Sequence, residues 1–339
     1  MSRPRRRALR LLHRSAAHVP LSWLLRLTGQ RLILPFYHLV SDVAVPHVDH
    51  LYQVKDVRAF EADLRCLLRH FDPLDADDLR AVVDGRRTLR RPAFLLSFDD
   101  GLRELYDVVA PVLRREGVPA VCFLNSAFVD NHDLFFRYKA SLLTDHIAMH
   151  GAPPDLPELL DAPVGLSAQD ALLGIGYAAR DRLDAAAARV GVDFGAYLRS
   201  RQPYLTTPQI RALQSDGFRF GAHSQDHPEY RLVPFEEQVR QTEASVAFVR
   251  ERFGPDGRLF SFPFTDHGVS RRLFDHLRAR GVTDLTFGCA GQKDDPTPRH
   301  LQRIPFEAGA LTARQILHAE LLARLLKMPL GKHVVRHDD

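Results

Sequence analysis

Asp99 and Asp100 stand side by side in Ser97-Phe98-Asp99-Asp100-Gly101, directly after the apolar run Phe94-Leu95-Leu96. Adjacent residues leaving a strand point in different directions, so one carboxylate can hold a metal while the other faces a substrate. The plainer alternative is a helix N-cap pair, because Asp is favoured in the first helical turn. His223 and His227 lie in Gly221-Ala222-His223-Ser224-Gln225-Asp226-His227-Pro228, also after a strand-like run. Two imidazoles four residues apart converge on one point if the loop turns like a helix, which suits a divalent cation. Alone, they are two of seventeen histidines. Together with one Asp they form a three-ligand set with open positions, the layout of a catalytic metal site and not of a closed structural one. A third strand end, Ser261-Phe262-Pro263-Phe264 followed by Thr265-Asp266-His267-Gly268, adds polar groups.

These residues need a scaffold that brings strand ends together. Strand-like runs occur at 32–37, 93–98, 120–124, 218–222, 259–262 and 283–287, with a weaker one at 301–304. Most are short and continuously apolar, as strands covered on both faces are. Helical patterns lie between them at 57–70, 102–116, 207–216, 235–253 and 269–280, several ending at Gly or carrying an early Pro. This alternation predicts an α/β fold, a distorted (β/α) barrel, whose functional face is formed by the C-terminal ends of its strands. Residues 133–205 break the rhythm; they are Ala/Leu-rich with a break at Pro153-Pro154, and are expected to form a helical insertion. The expected organisation is a basic segment over 1–30, a barrel over 31–308 and a helical tail over 309–339.

The motifs, in this order and on these elements, resemble the polysaccharide deacetylase family, the NodB-type carbohydrate esterases. The resemblance spans about residues 32–308. It implies that Asp99 is the general base and that Asp100, His223 and His227 hold Zn²⁺ or another divalent ion. The family's Arg-x-Pro-Tyr motif is matched only in part by Ser261-Phe262-Pro263-Phe264, with Ser261 in place of the Arg that tunes the base. The Phe264 backbone N–H can still serve as oxyanion donor, since no side chain is needed. Arg303 is a candidate to pair with Asp99 instead. The Asp-x-x-Asp-Trp motif is absent, the single tryptophan being Trp23. The late Leu-x-Ile-His motif that supplies the acid is absent too. Leu34-Pro35-Phe36-Tyr37-His38 looks like the Tyr-His motif of the circularly permuted poly-N-acetylglucosamine deacetylase branch, which implies His38 as general acid. His267 is the second candidate for that role, and His318, on a helical pattern, is expected to be structural. Arg137-Tyr138-Lys139 could contact a sugar or phosphate or be a solvated helix face. Cys122, between Val121 and Phe123, reads as core.

The implied reaction is metal-assisted hydrolysis of an N-acyl group, an N-acetyl on an amino sugar of a glycan or glycan precursor. Two alternatives share the sequence: a deacylase or deformylase of a lipid-linked sugar, and a degenerate barrel that binds glycan without catalysis. Composition narrows the field further. The chain has 339 residues, 45% hydrophobic and 26% charged, which excludes disordered, collagenous and disulfide-scaffold classes. Its three cysteines, Cys66, Cys122 and Cys289, are far apart and outside any CxxC. The net charge of +4 is the sum of eight arginines without an acid in residues 1–31 and a body with 38 Lys+Arg against 42 Asp+Glu. No nucleic-acid partner is therefore expected. The Arg-rich, Leu-rich start is either a helix packed on the body or a peripheral anchor on an anionic membrane. With His13, Arg14, His18 and Pro20 breaking its apolar stretch, it does not read as an export signal. The expected location is cytoplasmic, with membrane association open.

Overall fold

The structure, a computed structural model, describes residues 19–254, 258–307 and 310–338. Within them, short parallel strands are wound by helices: β1 (Leu32–Ile33), β2 (Pro35–Tyr37), β3 (Asp72–Pro73), β4 (Ala93–Phe94), β5 (Leu96–Phe98), β6 (Ala120–Leu124), β7 (Arg219–Ala222), β8 (Leu259–Ser261), β9 (Leu285–Gly288), β10 (His300–Gln302) and β11 (Ile304–Pro305). The main sheet runs β10-β9-β8-β7-β6-β5-β2-β11. Its two end strands are neighbours in sequence, separated only by Arg303. The Arg303 amide donates to Gly288 O on β9, and the next amide, Ile304, donates to Leu34 O beside β2. The chain thus hands over from one end of the sheet to the other at a single residue, and the barrel is nearly closed.

The runs at 32–37 and 93–98 each read as one strand and are divided here. Ile33 faces Phe94 and Phe36 faces Ser97, so the register is unchanged across the division. What changes is the third partner: the first halves join β3 in a small sheet of order β1-β4-β3, the second halves join the barrel. The short strand β3 and the helix Ala76–Val83, capped by the Asp75 side chain, have too little apolar pattern to be expected from sequence. Helix Val57–His70 falls where the periodicity puts it. The 102–116 block is a π-helical turn, Leu105–Val109, followed by an α-helix, Ala110–Glu116.

Between β6 and β7 lies a helical insertion with helices Phe136–His150, Leu156–Leu159, Ala168–Gly174, Asp181–Val190 and Phe194–Arg201. Its apolar cluster, with Leu143, Leu172 and Leu183, is shared with Leu39, Val45 and Val48 of the segment after β2. The insertion is therefore built onto the mouth of the barrel beside the first strand.

The segment expected as a helical tail forms helix Ala313–Lys327, which buries Ile316, Leu317, Ala319 and Leu321. It packs on helix Leu21–Thr28, where Leu21, Leu24 and Leu25 are buried while Trp23 and Leu27 are 61% and 62% exposed. Residues 1–18, which hold most of the Arg-rich segment, lie outside the described residues. A buried carboxylate, Asp63, ties three parts of the chain together. It accepts from Tyr37 Oη at 3.0 Å, from Lys55 Nζ, and from the Ala313 amide at the start of the C-terminal helix. No helix of the described residues is long and apolar enough to cross a membrane.

Candidate active site

β5 ends in Asp99 and Asp100, both buried. Asp100 has φ 70°, a conformation that L-residues with side chains adopt infrequently. The turn sends the two carboxylates different ways. Asp99 meets Arg303: the guanidinium donates to Oδ1 at 2.8 Å and to Oδ2 at 2.7 Å. Arg303 also donates to Ser97 Oγ at 3.1 Å and to Ser261 Oγ. Its position at the seam of the barrel leaves it 1% exposed. Burial alone would raise the Asp99 pKa, and the Arg303 guanidinium outweighs that and holds it below the usual carboxylate value.

Asp100 turns toward His223 and His227. Its Oδ2 accepts from Tyr138 Oη at 3.0 Å, while Oδ1 is buried and has no hydrogen-bond partner. That orphan oxygen lies 3.3 Å from His227 Nε2 and 3.6 Å from His223 Nε2. Zinc–ligand bonds of about 2.0–2.1 Å at tetrahedral angles set neighbouring donor atoms about 3.3 Å apart. His223 Nδ1 faces the Ser261 carbonyl at 2.7 Å, an arrangement that leaves Nε2 free to ligate. Burial lowers the His223 pKa to about 4, so its ring is neutral at neutral pH. An unsatisfied carboxylate oxygen and two convergent imidazole nitrogens fit a divalent cation, and three protein ligands leave coordination positions open.

His38 follows β2 and stands between the ends of β5 and β11. Its Nδ1 is 2.7 Å from Glu307 Oε2, and Glu307 Oε1 accepts from the amides of His38 and Leu39 at 2.7 and 2.8 Å. Burial works against a charge on this imidazole, but the Glu307 carboxylate prevails and lifts its pKa to about 9. The side chain keeps 27% exposure, toward the cleft.

Phe264, after β8, has φ 56°, and its ring packs against His227 with centroids 4.6 Å apart. Ser224 and His227 have φ of 68° and 64°. Left-handed backbone at four non-glycine residues around one point is strain held in place by the surrounding fold. Two glycines are sterically required: a Cβ on Gly101, at φ 64°, would come within 2.7 Å of Leu124 Cδ2, and one on Gly221 within 2.6 Å of the Leu259 carbonyl. The residues His38, Asp99, Asp100, His223, His227 and Phe264 all line one cleft of about 1690 Å³ at the C-terminal ends of the strands.

His267 is exposed on the cleft rim. His318 is buried in the C-terminal helix, its nitrogens 2.8 Å from the carbonyls of Arg314 and Val19. Cys122 is buried in β6. Tyr138, read as a possible sugar contact, is wholly buried beneath Asp100, whereas Arg137 lines the cleft over the Phe136 and Phe264 rings. Lys139 pairs with Asp184 and Asp133. Sequence reasoning missed Glu307; its only signal was a carboxylate shortly after the last barrel strand. It also missed what Tyr138 does, because an aromatic on a helix reads as packing.

The family model described as polysaccharide deacetylase matches residues 86–283. Comparison with curated protein sequences gives no match. Among solved structures, the deacetylase PplD of Streptococcus pyogenes in complex with acetate is similar at a TM-score of 0.56 and 11% identity, covering 85% of this chain and 97% of that one. IcaB from Ammonifex degensii is similar at 0.53 and 16% identity, covering 86% and 98%. A de-N-acetylase from Aggregatibacter actinomycetemcomitans is similar at 0.51 and 16% identity, covering 83% and 97%. At these identities the likeness is one of fold.

Proposed function

Because this chain belongs to the polysaccharide deacetylase family and is a carbohydrate N-deacetylase, we propose that its cleft hydrolyses the acetamide of an amino sugar with Asp99 as general base and His38 as general acid. The observation that carries this reading is the convergence of three sets in one cleft: Asp99 with Arg303, Asp100 with His223 and His227, and His38 with Glu307. The intact set also argues against a barrel that only binds glycan.

Asp100, His223 and His227 would hold the cation, Zn²⁺ or another divalent ion. When bound, such an ion supplies Lewis acidity, polarising the acyl oxygen and lowering the pKa of water. Asp99, kept ionised by Arg303, takes a proton as water adds to the acyl carbon. The Phe264 N–H donates to the oxyanion that develops there. His38 gives its proton to the nitrogen as the C–N bond breaks, so that a neutral amine leaves with acetate. Glu307 keeps His38 protonated at neutral pH and holds the ring by Nδ1.

The test is acetate release from N-acetylglucosamine oligomers, with metal content measured in the same preparations of wild type and the His223→Ala/His227→Ala variant. Release by the wild type alone, with the variant binding one metal ion fewer per chain, is the expected result. Metal without acetate release would move the reading to another acyl group, such as formyl. Absence of bound metal in the wild type would sink the mechanism.

A second substrate reading, a lipid-linked glycan precursor met at the cytoplasmic face of a membrane, is favoured by one observation. Trp23 and Leu27 project from helix Leu21–Thr28, next in sequence to the Arg-rich residues 3–14. Sedimentation of the full chain with anionic vesicles, reduced in Trp23→Ala/Leu27→Ala, is the expected outcome. Sedimentation of neither protein would leave a soluble glycan as the substrate, and equal sedimentation of both would take Trp23 and Leu27 out of the membrane contact.

A further inference from the structure

Beside the loop that carries Phe264, a second group of ligating side chains converges. Asp266 follows Phe264 by two residues, Asp295 lies in the loop between β9 and β10, His300 opens β10, and His337 comes from the C-terminal arm. One donor atom from each lies within 4.8 Å of all the others. The Nε2–Oδ2 separations are 3.2 Å for His300–Asp266 and 3.0 Å for His337–Asp295. The crossed pairs are 3.7 Å for His300–Asp295 and 3.8 Å for His337–Asp266. These values bracket the donor spacing of about 3.3 Å that tetrahedral zinc coordination requires.

The surroundings are those of a ligand set. His337 Nδ1 is 3.2 Å from the Val269 carbonyl and His300 Nδ1 is 2.8 Å from Thr286 Oγ1, so both rings turn Nε2 inward. The Gln302 side-chain amide donates to Oδ2 of both carboxylates, its nitrogen lies 3.1 Å from His300 Nε2, a contact the metal-free arrangement also uses, and the Cys289 amide donates to Asp266 Oδ1 at 3.1 Å. Outer hydrogen bonds of this kind orient ligating carboxylates and imidazoles. Space is reserved as well: a Cβ on Gly288 would lie 2.4 Å from Asp266 Cγ. Asp266, His300 and His337 are buried.

We propose that Asp266, Asp295, His300 and His337 form a second metal site, closed and structural, for a zinc-type divalent cation. Four protein ligands fill a tetrahedral shell and leave no position for substrate, in contrast to the three-ligand set in the cleft. Its role is mechanical. It joins the loop that carries Phe264 to the C-terminal arm, whose residues 331–336 line the same cleft. The proposal does not rest on the assignment of the reaction. The competing arrangement is a metal-free pair of His–Asp ion pairs, which the same side chains can make.

Metal counting on the full chain after zinc loading and gel filtration separates the two. Two ions per chain are expected in the wild type. One is expected in His223→Ala/His227→Ala, one in His337→Ala, and none when both sets are changed. Gly288→Ala, which retains all four ligands, should also lose one ion, because the carboxylate of Asp266 is displaced. Chelator should lower the Tm of His223→Ala/His227→Ala and expose its C-terminal arm to protease. In His337→Ala, whose remaining ion lies in the cleft, chelator should leave the protease sensitivity of the arm unchanged. One ion in the wild type and none in His223→Ala/His227→Ala would overturn the proposal in favour of the ion pairs. If His337→Ala does not fold, the wild-type count and the chelator response of folded His223→Ala/His227→Ala decide.

Discussion

Arg303 donates to both carboxylate oxygens of Asp99 across 204 residues of sequence, at 2.8 and 2.7 Å. Ser261, where the family resemblance leads one to expect the arginine, accepts a hydrogen bond from the same guanidinium. The cation that serves Asp99 thus comes from the seam between β10 and β11, with its head within reach of the Ser261 side chain at the end of β8. A buried ion pair that loses one partner leaves an uncompensated charge, costing about 3–5 kcal/mol. Arg303→Met should show a loss of that size in denaturant unfolding, together with loss of acetate release. Adding Ser261→Arg should recover part of both, since the serine side chain already reaches the guanidinium. Recovery of neither would mean that the two positions are not interchangeable around Asp99.

Asp99→Asn should retain the cation bound by Asp100, His223 and His227 and lose turnover by about 10²–10⁴-fold, the usual contribution of a general base. Acetate release at saturating substrate and metal content on the same sample check this. Turnover close to wild type would remove Asp99 from the role of base.

Tyr138→Phe tests how Asp100 is held. Removing the hydroxyl that donates to Asp100 Oδ2 frees the carboxylate to rotate, and loss of an outer hydrogen bond to a metal ligand typically costs 10–100-fold in affinity. Competition against a chromogenic chelator should show weaker binding by about that factor. Unchanged affinity would make Tyr138 a packing residue.

The His38–Glu307 pair sets the alkaline limb of the reaction. A general acid must be protonated, so kcat/KM should hold up to about pH 9 and fall above it. In Glu307→Gln the raising charge is gone while burial remains, so the limb should move to lower pH. Stability follows the same sign. A folded pKa raised from about 6.5 gives a contribution that is fully present below pH 6.5 and is lost as the pH rises through about 9. Urea unfolding at pH 6 and pH 9.5 should show a smaller difference in Glu307→Gln than in wild type. Profiles that coincide would detach His38 from proton transfer.

Asp63 offers a test of the fold alone. It holds Tyr37, Lys55 and the first turn of the C-terminal helix. Asp63→Ala strands the Lys55 charge in the interior, and a loss of about 3–5 kcal/mol is expected in denaturant unfolding. A loss under about 1 kcal/mol would show that the Lys55 charge reaches water.

Much of this molecule is legible from local order because its chemistry is attached to strand ends. A short apolar run followed by polar residues marks where a strand leaves the barrel, and that placed Asp99, Asp100, His223, His227 and His38 on one face. The helix Val57–His70 and the strand Ala120–Leu124 were equally plain, their periodicity being a property of consecutive residues. Pairings that close the barrel are not local. Arg303 is suggested as the partner of Asp99 only by the missing arginine at Ser261, nothing near Glu307 names His38, and nothing in the Arg137-Tyr138-Lys139 run distinguishes the tyrosine beneath Asp100 from its neighbours. Those partners are chosen by which strands lie side by side, and the sheet order brings the first strand between β5 and the last. The Asp266, Asp295, His300 and His337 group is the extreme case, since its members come from two loops, a strand and the C-terminal arm. Residue types and their spacing along the chain determined which side chains could do chemistry here; closure of the sheet and docking of the C-terminal helix decided which of them meet, because contact in a barrel depends on strand neighbourhood and not on distance along the sequence.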